Sequence, residues 1–338
     1  VRQSAAVRTL TALIAANKQS VFLWGPPGIG KSSIVKQVGA ALNLQVDVRL
    51  TSLMDPSDFL GIPTVNEAGM TKWCPPAWVP QEGSGILFLD ELPQAHHSVQ
   101  SAALQAPLER RIGDVAIAPG WRIVAAGNRV QDKAGAGHII SPLASRFVHI
   151  DLDTNGGDWQ TWAEGAGIDF RVRTFLKFRP ELLMTFDPTK GWPRAFACPR
   201  TWEFVSSVIN TVEKGDLAEV LAGTVGDGPA AEFVGWLEIY RSLPDIDKLL
   251  ADPRTFVPRT DSPAWMYAIV AALGNRANTA SDSDLGAMYE IAGKMSDEYS
   301  MALGVDILRA NKNAIATASG HKWLEKNRTA VLEGGHLK

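Results

Sequence analysis

Gly25-Pro26-Pro27-Gly28-Ile29-Gly30-Lys31-Ser32 is the stretch on which the fold turns. It fits G-x-x-x-x-G-K-[ST], where glycines let backbone N–H groups wrap a phosphate and the next helix points its positive end at the anion. In such a loop Lys31 reaches the β- and γ-phosphates, and the Ser32 hydroxyl ligates Mg2+. Nucleotide contacts are therefore expected from Gly25, Pro26, Pro27, Gly28, Ile29, Gly30, Lys31, Ser32 and Ser33. A glycine-rich turn before a helix is the plain alternative. The flanks favour the phosphate loop: Val21-Phe22-Leu23-Trp24 reads as a buried parallel strand, and Ser32 to Leu42 as a helix.

Working outward, Ile86-Leu87-Phe88-Leu89-Asp90-Glu91 puts two carboxylates at the carboxyl end of an apolar strand, where open α/β sheets bind ligands. Asp90 is expected to hold the Mg2+ and Glu91 to polarise the attacking water. Alone, the pair would read better as an acidic strand-to-helix turn with a cap; beside the phosphate loop it does not. Ala125-Ala126-Gly127-Asn128 ends another strand with an amide, and Asn128 is expected to donate to the γ-phosphate or to orient water. The cofactors implied are ATP and Mg2+.

Further strands are predicted at Gln45–Leu50, Arg122–Ala126 and Val148–Leu152, alternating with helical stretches that begin with an amphipathic helix over 4–17. The pattern implies an α/β fold with a parallel sheet covered on both faces. Residues 51–85 interrupt it with a Pro- and Gly-rich insertion, in which Ile62–Val65 and Met70–Trp73 flank a turn at Asn66–Gly69. A second hairpin is plausible over Arg111–Ala118. After residue 154 the strand signals stop and helical periodicity takes over. The division expected is an α/β nucleotide-binding core at 1–153 (insert 51–85), a helical lid at 154–243 and a C-terminal helical region at 244–338.

The order of these motifs, followed by Ser141-Pro142-Leu143-Ala144-Ser145-Arg146-Phe147, resembles an AAA+ P-loop NTPase. The insertion after the second strand, and the hairpin after Leu104-Gln105-Ala106-Pro107-Leu108-Glu109, resemble the MoxR-like branch of its helix-2-insert clade. The resemblance covers roughly residues 5–240. It implies ATP hydrolysis by a ring oligomer, usually a hexamer, with sites between neighbouring subunits. Arg146 matches the arginine finger, supplied in trans; Pro199-Arg200-Thr201-Trp202 matches the start of the sensor-2 helix, so Arg200 should contact phosphate. Arg129, Arg110 and Arg111 are weaker candidates for an intersubunit role. Pro107 departs from the pattern, since a proline there should kink or end the helix before the hairpin. Such proteins act as chaperone-like maturation or assembly factors on a protein client, often beside a von Willebrand factor A domain partner.

Composition narrows the alternatives. The 338 residues carry 33 Lys and Arg against 36 Asp and Glu, a net charge of -3, so no global basic field recruits nucleic acid. That counts against a nucleic-acid-stimulated motor; Glu91 counts against a mere nucleotide-dependent scaffold. Cys74 and Cys198 suggest reduced thiols rather than a disulfide or a zinc site. Arg2, Arg8 and Leu10–Ala16 faintly resemble a leader but read better as a first helix, and no run approaches a membrane span of about 20 apolar residues. A cytoplasmic protein is expected. His96 and His97 diverge on a helix and suit capping more than a metal. Trp159, Trp162, Phe170, Phe175 and Phe178 have the spacing of a helical core, whereas Trp73 and Trp78, on a hairpin and loop of the insertion, are as suited to contact with a partner or the central pore as to packing.

Overall fold

The computed structural model describes residues 1–16, 19–132, 137–189, 191 and 193–333. Nine strands run in the order β1 (Ser20–Trp24), β2 (Gln45–Leu50), β3 (Ile62–Val65), β4 (Thr71–Cys74), β5 (Ser84–Asp90), β6 (Arg111–Ile112), β7 (Val115–Ala116), β8 (Gly120–Gly127) and β9 (Phe147–Asp151) among the described residues. Five of them form one parallel sheet in the order β2-β5-β8-β1-β9, and the other four make two antiparallel hairpins. The helix expected over 4–17 spans Gln3–Ala16, residue 17 lying outside the described residues.

Successive strand residues point to opposite faces, and both faces are apolar. Val21, Leu23, Ile86, Phe88, Val124 and Ala126 pack with Ala6, Leu10 and Ile14 of the first helix and Ile34, Val35 and Val38 of the helix Lys31–Ala41. Phe22, Leu87, Leu89, Ile123 and Ala125 pack with Val99, Ala106 and Leu143 on the other side. The connection after β1 thus covers one face and the connection after β8 the other. Between adjacent parallel strands this parts the chain and opens a crevice at their carboxyl ends.

The hairpin β3–β4 pairs Ile62 with Cys74 and Val65 with Thr71, one residue beyond the sequence pattern. Asn66 Oδ1 accepts from the backbone of Ala68 and Met70, and Gly69 takes φ +74°, which makes the turn. Its side chains are exposed, Ile62 and Val65 at 64% and 75%. Trp78 is different: it packs edge-on against buried Phe59, donates to Asp58 O and carries the Arg49 guanidinium over its ring. It anchors the insertion, while Trp73 is exposed.

The helix before the second hairpin breaks at Ala103–Leu104, and Pro107 lies in the first turn of a new short helix, Gln105–Glu109. There its missing N–H has no partner to lose. The proline therefore starts a helix rather than ending one. Arg110 follows at φ +58°, and β6–β7 begins.

The chain divides into two compact units, Val1–Trp162 with Met184–Thr201, and Ala163–Leu183 with Trp202–Lys338. The second is helical among its described residues, including Phe170–Phe178, Leu217–Val225, Asp227–Arg241, Pro263–Arg276, Asp282–Ala292, Asp297–Ala310 and Ala318–Glu333. Phe175 meets Trp202, Phe233 and Trp236, and Phe178 stacks on Trp236. Phe175, Trp202, Phe233 and Trp236 are core, as is Trp159 in the first unit, while Phe178 is half-buried. A second cluster gathers Trp265, Met266, Ile269, Leu285, Met288, Leu303 and Trp323. Among the described residues no helix is long and apolar enough to cross a membrane.

Candidate functional site

The loop after β1 owes its course to two glycines in the left-handed region, Gly28 at φ +75° and Gly30 at φ +103°. A Cβ on Gly28 would lie 2.3 Å from Cys198 Sγ, so the loop rests directly on the 198–200 segment. Arg200 N donates to Gly28 O at 3.3 Å there. A Cβ on Gly30 would meet nothing within 4 Å, so that side of the loop is open. Helical bonding then begins with Ile34 N to Gly30 O at 2.9 Å, which leaves the N–H groups of the first turn free of helical partners.

Lys31 Nζ donates to Gly25 O at 2.8 Å, Pro26 O at 3.1 Å and Asn128 Oδ1 at 2.8 Å. All three ammonium donors are used on neutral oxygens. Burial pushes Lys31 from 10.5 down to about 8; the carboxylates of Asp90, Asp132 and Glu91 oppose that fall and the Arg200 charge adds to it. An anion beside Nζ would reverse the shift.

Asp90 ends β5 at 8% exposure, and its Oδ2 accepts from Ser32 Oγ at 2.7 Å. Thr51, buried after β2, donates to Asp90 O at 2.8 Å and fixes that strand end. Glu91 is exposed and takes φ +57°, a conformation that costs a non-glycine residue roughly 1 kcal/mol or more. Ser52 Oγ donates to its Oε2 at 2.5 Å. Strain at a carboxylate of this kind points to function rather than to packing.

Asn128 comes to Lys31 because β8 lies beside β1. Gly127 permits it: a Cβ there would sit 2.3 Å from Pro93 Cδ, in the turn that follows Glu91. Asp132, 7% exposed, accepts from Arg129 N at 3.0 Å and pairs with Arg129 Nε at 3.3 Å. The structure therefore brings Lys31, Ser32, Asp90, Glu91 and Asn128 to one crevice, with Arg200 close enough to act on Lys31. Arg146 is held elsewhere: its Nη1 donates to Leu104 O and pairs with Glu109 Oε2 at 3.1 Å. Arg110 donates to Ala118 O and Trp121 O, which makes it the clamp of the hairpin root, and Arg111 donates to Asp114 O.

Sequence reading missed Thr51, Ser52, Asp132 and Cys198. Thr51 and Ser52 had one signal, since they follow the strand that pairs with β5. Ser32 Oγ and Asp90 Oδ2 offer a hydroxyl and a carboxylate side by side, the hard oxygen donors Mg2+ takes, and the open loop with a desolvated lysine suits a polyphosphate. The residues fit both. His96 Nδ1 accepts from Ser98 N and caps its helix, and no group of three or more His, Cys, Asp or Glu side chains placed to hold a metal ion stands among the described residues. Cys74 and Cys198 are free thiols.

Residues 20–147 match the AAA domain of the dynein-related subfamily. No curated protein matches the chain. Among solved structures, the Thermotoga maritima RuvB Holliday junction branch migration motor is 18% identical, over 80% of this chain and 81% of that one, at a TM-score of 0.41. Brucella abortus NtrX in complex with ADP is 15% identical, over 96% of this chain and 68% of that one, at 0.39. Overlaps this loose carry no argument about chemistry. What stands is the fold: the parallel sheet and the loop after β1 make a P-loop NTPase fold of the AAA+ type, within which residues 20–147 match an AAA domain.

Proposed function

We propose that the chain is a Mg-ATP-hydrolysing AAA+ ring ATPase of MoxR-like type that remodels or matures a protein client. The observation that carries the ATPase reading is the convergence of Lys31 on Asn128 and of Ser32 on Asp90, beside a strained, exposed Glu91. Lys31 would exchange neutral carbonyls for phosphate oxygens, a trade its depressed basicity favours. Ser32 and Asp90 would hold Mg2+, which supplies charge neutralisation on the β- and γ-phosphates when bound. Glu91 would accept the proton of the attacking water, Asn128 would orient that water or the γ-phosphate, and Arg200 would touch phosphate from the same chain. Arg146 lies outside this crevice, which fits a guanidinium supplied to a neighbouring subunit in a hexamer. The lid motion would then reach a client through the insertion hairpin β3–β4, whose exposed Ile62, Val65 and Trp73 suit a protein contact. The client and any von Willebrand factor A domain partner would be of this kind.

The test is ATP binding, phosphate release and particle size for wild type, Lys31→Ala and Glu91→Gln. Glu91→Gln is expected to bind ATP, lose turnover by about 10²-fold or more and stabilise the ring, while Lys31→Ala loses binding. Normal turnover by Glu91→Gln would sink the reading.

A further inference from the structure

Arg146 is tied at one corner. Its Nη1 meets both Leu104 O, just before the short helix Gln105–Glu109, and the carboxylate of Glu109 that ends that helix. Its Nη2 and Nε have no partner among the described residues, so two-thirds of the guanidinium fork is left for another group. The helix that holds the anchor is itself pinned. Ser20 Oγ, at the start of β1, donates to Pro107 O at 2.8 Å in a buried position. After Glu109 the chain turns sharply at Arg110, φ +58°, whose guanidinium closes the hairpin root onto Ala118 O and Trp121 O. Glu109 therefore stands at a fixed point between the strand that leads into the phosphate loop and the root of hairpin β6–β7.

We propose that Glu109 is a positioning residue for Arg146, holding one corner of the guanidinium so that its remaining N–H groups are pre-oriented for a phosphate of the neighbouring subunit's nucleotide. The proposal rests on the reading of Arg146 as a finger supplied in trans. A long arginine side chain loses much rotamer freedom when it docks, and a carboxylate plus a carbonyl on one nitrogen remove most of that freedom beforehand. The carboxylate never touches the nucleotide. Its removal should lower the rate of the chemical step and leave nucleotide binding as it was.

The experiment measures steady-state ATP hydrolysis of the full chain for Glu109→Gln, Glu109→Asp and Arg146→Ala, each alone and mixed in equal amounts with Lys31→Ala. Glu109→Gln is expected to lose about tenfold in kcat with KM for ATP within about twofold of wild type. Glu109→Asp should recover most of that loss. Mixing with Lys31→Ala should raise the rate per Glu109→Gln subunit, because its own phosphate loop then meets an intact Glu109–Arg146 pair from the neighbour. An unchanged or raised kcat in Glu109→Gln overturns the proposal when Arg146→Ala is still inactive alone and rescued by the same mixing. If Arg146→Ala is not rescued, the trans reading itself falls. A defect in Glu109→Gln that Glu109→Asp does not repair, accompanied by a lowered melting temperature, also counts against positioning.

Discussion

Lys31 and Glu91 are each held by neutral groups in a way that makes a measurable demand. With Lys31 depressed to about 8, its ammonium loses its proton in the free protein as pH rises through that value. A phosphate beside Nζ raises the basicity again, so binding above about pH 8 must take up a proton, and affinity falls as pH climbs. KM for ATP should be flat from pH 6.5 to 7.5 and then rise, approaching about tenfold per pH unit above 8. Lys31→Arg, if it binds at all, should show no such rise, because a guanidinium stays charged. A flat wild-type profile to pH 9.5 contradicts the assignment. At Glu91 the Ser52 hydroxyl donates to Oε2 and so competes with a water for that oxygen. Ser52→Ala should raise kcat by about threefold, the worth of one modest hydrogen bond, with KM unaltered. A fall in kcat would instead make Ser52 part of the machinery that aims Glu91.

At the level of elements, the site depends on how closely the end of β8 meets the turn after β5. Gly127→Ala would drive a Cβ into the Pro93 ring, a rigid neighbour that cannot swing aside. The expected result is a loss of about 1–3 kcal/mol in stability, read by denaturant midpoint, and a larger proportional loss in turnover as Asn128 leaves Lys31. The same elements explain what could be read from the chain. Val21–Trp24 and Ile86–Leu89 were legible as short apolar runs ended by turn residues, and Gln45–Leu50, which alternates polar and apolar residues, was found with its observed bounds. Gly25 to Ser32, Asp90 and Asn128 were legible because the loop and the two strand ends carry their chemistry in consecutive residues. Ser52 was not, since it lies 39 positions from Glu91 and only the pairing of β2 with β5 brings them together. Glu109 was hidden for the same reason, and the helix restart at Pro107 because propensity alone does not say whether a proline ends one helix or begins the next.

On the scale of the whole molecule, Arg146 decides whether the proposed hydrolysis belongs to one chain alone or to a ring that shares its sites. Within one chain Arg146 contacts Leu104 and Glu109, none of the residues gathered around Lys31. A finger in that position belongs to another subunit's crevice or to none. The client-facing role proposed for hairpin β3–β4 is tested at the same scale: removing its exposed apolar face with Ile62→Ser and Trp73→Ser should leave basal ATP turnover within about twofold, because both side chains are exposed and neither contacts the residues gathered around Lys31. Coupled loss of basal turnover would mean the hairpin belongs to the ring contact instead. The central claim, a hydrolytic site completed by a neighbour, is met most directly by mixing two inactive variants, Lys31→Ala and Arg146→Ala, and measuring phosphate release. Adjacent subunits then assemble an intact loop from one and an intact finger from the other, and the account predicts that the mixture regains a substantial fraction of wild-type activity. A mixture as inactive as either variant alone, with subunit exchange verified, would contradict it.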